Sequence, residues 1–277
     1  SLEAARAWLP VGVGPHYTYL DAALQHAHRA VELEPLRGEA YLILAELSFL
    51  ETSPVPSKSA YVAQAFRVRP HDGTVLFEIG NELARAGRYN ESLSCLKRSF
   101  QCGTVHQKRL IQNFAGNIPV GVFLDEFRPD ADAMQHVLAQ YSRPELASEV
   151  DCVLAAHAAA CESRAASLQT EEAAVYWSRA AESYRRLRDT TKRRECLQRA
   201  VAADSMNFAH RLSLGQACMA VEDYTEAEKQ ARWCVQRKPG HPEAEKLLEQ
   251  AVEKRLASTN RSDPVNQAGL TQSPGWR

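Results

Sequence analysis

Apolar residues along the chain fall into short helical stripes set between polar breakers. Leu110-Ile111-Phe114 and Val122-Phe123-Phe127 each fit one face of a short helix, and Gly116, Pro119 and Pro129 interrupt them. Ala131 to Tyr141 reads as a further helix. Pro144 opens a long alanine-rich one to about Ser167, with Thr170 placed to cap the next. Farther on, Asp223-x-x-Glu226 is a capping-box pattern that starts a helix and Pro239-Gly240 stops it. Pro242 suits the first turn of an amphipathic helix running to about Leu256. From Ala257 to Arg277 apolar residues thin out among Ser, Thr, Asn, Gln, Pro and Gly, the signature of a disordered tail.

The stripes repeat. Ala181 and Gly215 lie 34 residues apart, as do Ala200 and Cys234, and Pro70 and Thr104; Ala30 and Ala65, and Pro35 and Pro70, are spaced by 35. Each unit has a small residue in its first helix, another in its second, and a helix-stopping Pro or polar turn at its end. Small residues let two antiparallel helices approach closely, while Trp177 and Leu197, or Tyr41 and Leu44, fill the space between them. One such hairpin cannot bury its apolar stripe alone, so neighbours must stack.

These units resemble tetratricopeptide repeats, which are 34-residue helix-turn-helix modules. Phe208 to Pro239 carries Leu214-Gly215 at the family's seventh and eighth positions, Ala227 at the twentieth and Pro239 at the thirty-second. Ala174 to Ser205 carries Trp177, Tyr184 and Ala200, with Arg193 where the family has Ala. Gly38 to Pro70 carries Tyr41, Leu44, Ala45, Ala65 and Pro70, with one extra residue in the Thr52–Ser57 loop. Gly73 to Thr104 carries Ile79, Gly80 and Ser99, and a leading half-unit from Thr18 to Pro35 carries Ala23, Ala30 and Pro35. The resemblance implies an all-α, right-handed superhelical solenoid of helix hairpins with a degenerate middle section. Hairpins are expected to start near residues 38, 73, 174 and 208. The expected organisation is a front block over 1–104, an irregular helical linker and long hairpin arm over 105–173, a rear block with its capping helix over 174–256, and the tail over 257–277.

Composition narrows the picture further. The chain has 277 residues, 45% of them hydrophobic, enough for a sizeable core. Its 33 basic and 34 acidic residues leave a net charge of −1, which disfavours nucleic acid or an anionic membrane as partner. The first residue is Ser1, so the chain reads as a fragment or a processed product. The longest uncharged run, Leu110 to Leu124, is 15 residues long and interrupted by Gly116 and Pro119. A spanning helix needs about 20 mostly apolar residues. Seven cysteines, none in a CxxC pair, read as small buried core residues with reduced thiols. That leans to a cytoplasmic location, which is otherwise undetermined.

No GxSxG, HExxH or glycine-rich loop ending in Gly-Lys is present. Gly12-Val13-Gly14 is a turn without the context of a phosphate loop. His26 and His28, two apart on a helix, point to different faces. Asp125, Glu126, Asp130 and Asp132 lack the glycine turn and distal Glu of a calcium loop, and Asp130 suits a helix cap. No catalytic residue, metal site or cofactor is expected.

The resemblance also implies an inner groove lined by the first helix of each hairpin. It maps to Leu42, Glu46, Phe49 and Leu50; to Phe77, Asn81, Ala84 and Arg85; to Ser178, Glu182, Arg185 and Arg186; and to Leu212, Gln216 and Met219. Phe49 and Phe77 would anchor a peptide or helix partner. The family's chaperone-binding members use Lys at the fifth position and Asn at the ninth; Asn81 matches, but the fifth positions are Phe77, Leu42, Ser178 and Leu212, so capture of a chaperone tail is not expected. Arg185, Arg186, Arg188, Lys192, Arg193, Arg194 and Arg199 against Asp189 and Glu195 (seven minus two) leave +5 on one inter-helix turn, a solvated turn or a docking patch for an anionic partner. A narrower similarity joins Pro35-Leu36-x-Gly38-x-Ala40-Tyr41-x-x-Leu44-Ala45-Glu46, Val68-Arg69-Pro70-His71-Asp72-Gly73 and Arg232-Trp233-Cys234 to the C-terminal repeat region of planctomycete-type O-antigen ligase-like membrane proteins. It implies a soluble accessory domain of an envelope polysaccharide assembly protein, tethered to a membrane domain outside this chain. Two functions follow: a non-enzymatic interaction scaffold binding a protein or peptide, and that accessory domain.

Overall fold

The computed structural model describes residues 17–51, 57–169 and 171–262. The Gly12-Val13-Gly14 turn, most of the Thr52–Ser57 loop, the Thr170 cap and the tail from Asp263 lie outside the described residues. The described residues form fourteen α-helices and no strand. The chain divides into two compact units, residues 1–129 and 130–277.

In the first unit α1 (Tyr17–Leu33), α2 (Gly38–Leu47) and α3 (Lys58–Val68) share one core, in which Leu20, Ala23 and Ala27 meet Leu44, Leu47, Val62 and Ala65. A 3₁₀ turn, Ser48–Leu50, follows α2. Then come α4 (Gly73–Arg85) and α5 (Tyr89–Phe100), paired at Gly80, where a Cβ would lie 2.8 Å from the Leu96 side chain. The α4 helix starts because Asp72 accepts from the backbone N–H groups of Thr74 and Val75 at 2.9 and 3.0 Å. Such a cap contributes about 1 kcal/mol. The unit ends in α6 (Thr104–Phe114) and α7 (Val120–Phe127). Here four phenylalanines replace the repeat's small and large pairs: Phe127 has its ring centroid 4.8 Å from Phe123, 5.4 Å from Phe100 and 5.5 Å from Phe114.

The second unit opens with α8 (Ala131–Tyr141), capped by the Asp130 carboxylate on the Ala133 N–H at 2.8 Å, as the sequence suggests. The long helix expected from Pro144 begins as a 3₁₀ segment, Pro144–Glu149, and becomes α9 at Val150–Ala166. Its small residues Ala158, Cys161 and Ala165 join Ala173, Ala174 and Trp177 in one core, so α9 packs closely on α10 (Glu171–Arg186) as well as on α8. The stack continues through α11 (Thr190–Ala203), α12 (Phe208–Ala220), α13 (Tyr224–Arg237) and α14 (Pro242–Ser262). Asp189, Asn207 and Asp223 cap α11, α12 and α13 through the N–H groups of Lys192, Ala209 and Glu226. Left-handed residues turn the chain inside hairpins: Arg188 (φ 61°) between α10 and α11, and Glu222 (φ 62°) between α12 and α13. Gly215 sits where α12 meets α14; a Cβ there would be 2.8 Å from Leu247 Cδ2. The last helix runs to Ser262, past the expected stop at Leu256, because no breaker stands between them. No helix among the described residues is long and apolar enough to cross a membrane.

Candidate functional site

The groove residues expected in the first unit do not form one open surface. Leu42 is buried in the core that α1 covers, and Phe77 is only 3% exposed, its ring lying under the Arg109 guanidinium at 3.8 Å. Neither can anchor a partner: their helices turn these side chains toward the neighbouring helix. Phe49, on the 3₁₀ turn, is 67% exposed. Glu46 is exposed and Asn81 half-buried. Arg85 is exposed and pairs with Glu82 on its own helix.

In the second unit, side chains from three helices meet around a cavity of 380 Å³. Gln135, Leu138 and Ala139 come from α8, with Ser142 just beyond its end; His157 comes from α9; Arg179, Glu182, Ser183 and Arg186 come from α10. The four α10 residues fall at i, i+3, i+4 and i+7, one helix face. Of the expected groove and patch residues, Glu182 and Arg186 are brought together here, with Arg185 beside them. The sequence reading missed the α8 and α9 side chains, since it placed them in a linker. The signal was present in Ala158, Cys161 and Ala165, small residues at helical spacing like those of the recognised hairpins.

The two cavity arginines are held differently. Arg179 is fixed: it donates to Asp132 at 2.9 Å, lies over the Tyr176 ring at 5.0 Å, and donates to the Gln135 amide oxygen at 2.7 Å once that amide is oriented to accept. Among the described residues no carboxylate lies within ion-pair distance of Arg186, which donates to the Ser142 hydroxyl at 3.5 Å. Glu182 is engaged from outside by Arg185 at 2.6 and 2.7 Å. Hydrogen bonds from Arg185, and the nearby charges of Arg193 and Arg186, hold its carboxyl below the usual range. At the floor, buried His157 bonds Ser183 at 2.7 Å. Burial, with Arg179 and Arg186 nearby, depresses its pKa, so the imidazole stays neutral.

The basic run spreads over two helices and a turn rather than one face. Arg185 pairs with Glu182, and Arg194 lies 3.7 Å from Asp223. Lys192 lies 5.2 Å above the Tyr184 ring and Arg199 4.6 Å above Trp177. Arg193 stands where the repeat has Ala. It is half-buried, and desolvation followed by the charge of Arg185 lowers its pKa. Arg188 is exposed at the left-handed turn, and Gln216 is exposed on α12. All seven cysteines are free; Cys95, Cys161, Cys196, Cys218 and Cys234 are buried, while Cys102 and Cys152 are exposed. No group of three or more His, Cys, Asp and Glu side chains able to hold a metal occurs among the described residues.

No family model matches the chain, and no curated protein does. Several solved structures are similar to it over most of its length. The Cut9–Hcn1 hetero-tetramer of APC/C is similar at 12% identity with a TM-score of 0.36, over 82% of this chain and 45% of that one, so the chain spans less than half that protein's length. The TPR domain of P58(IPK) is similar at 15% identity and a TM-score of 0.37, over 94% of this chain and 66% of that one. YrrB, described as a TPR protein with an unusual peptide-binding site, is similar at 13% identity and a TM-score of 0.36, over 79% of this chain and 95% of that one.

Proposed function

We propose that this chain is a non-enzymatic interaction scaffold, and that its second unit takes a peptide or helix of a partner protein in the cavity between α8, α9 and α10. The observation that carries this reading is Arg186, an arginine at the cavity with no carboxylate partner among the described residues, beside the apolar pair Leu138 and Ala139. Arginine recognises a carboxylate through two parallel N–H donors, and Arg179, hydrogen-bonded to Asp132 with Tyr176 on the same carboxylate, supplies a wall beside it. The segment that fits places an apolar side chain over Leu138 and Ala139 and a carboxylate at Arg186. In the first unit Phe49 is the remaining candidate contact. No feature of the described residues favours the O-antigen ligase-like alternative.

Peptides selected by display against the intact chain provide the test. Arg186→Glu is expected to weaken their binding about tenfold or more, since a charge-assisted hydrogen bond contributes about 1.5–3 kcal/mol. Circular dichroism should stay unchanged, because the side chain is exposed. Binding indifferent to Arg186→Glu would reject the site.

A further inference from the structure

The second unit carries another cavity, 610 Å³ in volume, along α13, lined from Thr225 through Glu228, Lys229, Arg232 and Trp233 to Gln236, with Arg211 from α12 and Arg255 from α14. The α13 residues fall at i, i+3, i+4, i+7, i+8 and i+11, one continuous stripe. Glu228 organises it. Its carboxylate is nearly buried and accepts from Arg232 Nε at 2.8 Å and Arg255 Nε at 2.6 Å, one on each oxygen. Those hydrogen bonds hold its carboxyl below the usual range. Two guanidiniums from different helices are thereby fixed side by side, with Arg232 60% and Arg255 38% exposed. Arg211 lies over the Trp233 ring at 4.4 Å and is tied to Gln230 and the Ser205 carbonyl. Lys229, 71% exposed, completes the rim and pairs with Glu226. Four cations thus face two carboxylates, a local excess of two positive charges in a chain whose net charge is −1.

We infer that this face docks an acidic peptide segment of a partner protein, at a site separate from the α8–α10 cavity. Charge complementarity selects the occupant. Arg232 and Arg255 share one carboxylate, so a second anion above them relieves their repulsion and uses donors that Glu228 leaves free. Length favours a peptide over a lone anion. Thr225 to Gln236 spans about 16 Å of helix. An extended segment of five residues covers about the same distance, while a single phosphate would occupy one end. Trp233 offers an aromatic surface for the segment's backbone and apolar atoms.

The test uses fluorescein-labelled hexaglutamate with the intact chain, followed by anisotropy and by the indole N–H signal of Trp233, assigned with Trp233→Phe. Binding should move that signal and weaken as salt rises. Lys229→Glu, a change at an exposed rim that leaves the Glu228 pairs intact, should weaken it about fivefold. Arg186→Glu, in the other cavity, should leave the Trp233 shift in place, so the two sites can fail separately. Inorganic phosphate at equal concentration should not displace the peptide. The inference is overturned if hexaglutamate leaves the Trp233 signal unmoved, if Lys229→Glu binds it as well as the parent, or if phosphate competes on equal terms.

Discussion

The buried thiols show how packing sets chemistry one residue at a time. Burial pushes Cys196 up to about 12 and Cys161 and Cys218 to about 11, with Glu162 reinforcing the effect at Cys196. A thiolate is the reactive form, so these groups are inert at neutral pH. Cys102 and Cys152 are exposed. Titration of native protein with a thiol reagent should therefore label two groups quickly and five slowly, and denatured protein should give all seven at once. Fast labelling of Cys218 or Cys234 would contradict the packing of α12 and α13. His157 makes a second case. Its folded pKa lies below the ordinary value of 6.5, so the unfolded chain takes up a proton first. Stability is thus full above pH 6.5 and is lost as pH falls through the lowered folded value. His210 is depressed in the same direction by burial. Replacing His157 with Asn keeps a partner for Ser183 and removes one titrating group. The loss in melting temperature between pH 7.5 and pH 5 should be smaller in His157→Asn than in the parent; an equal loss would show that the imidazole titrates alike in the folded and unfolded chain.

At the level of helices, close approach depends on a few small residues. Gly215 has Leu247 across the contact, with no room for a side chain. Gly215→Leu should cost about 1–3 kcal/mol by overpacking, visible as a lower thermal midpoint; an unchanged melt would mean that α12 and α14 do not meet there. This contact was legible in the sequence because its spacing to Ala181 repeats a whole unit. So were the caps at Asp130 and Asp223, which follow from local side-chain chemistry. The side chain of Glu226 departs from the capping box: it bonds Gln230 and pairs with Lys229, leaving Asp223 to cap alone. The α8–α9 hairpin was not legible as a repeat. The 3₁₀ insertion Pro144–Glu149 shifts its register, and the phenylalanine cluster before it uses large rings where the pattern expects small residues.

At the scale of the whole chain, the candidate site was half visible. Glu182 and Arg186 follow from the groove positions, but Gln135, Leu138 and His157 become neighbours only when α8 and α9 pack on α10. Phe77 and Leu42 went the other way, since the covering helix cannot be read from their own positions. The proposed scaffold function stands on Arg186, which has no carboxylate partner among the described residues, at an open, partly apolar cavity. Hydrogen–deuterium exchange of the intact chain with a display-selected peptide bound tests it most directly. Slowed exchange should concentrate in residues 135–142 and 179–186, and Arg186→Glu should sharply reduce it at a peptide concentration near the parent's Kd. Slowed exchange confined to other helices, or the same pattern in Arg186→Glu, would contradict the account.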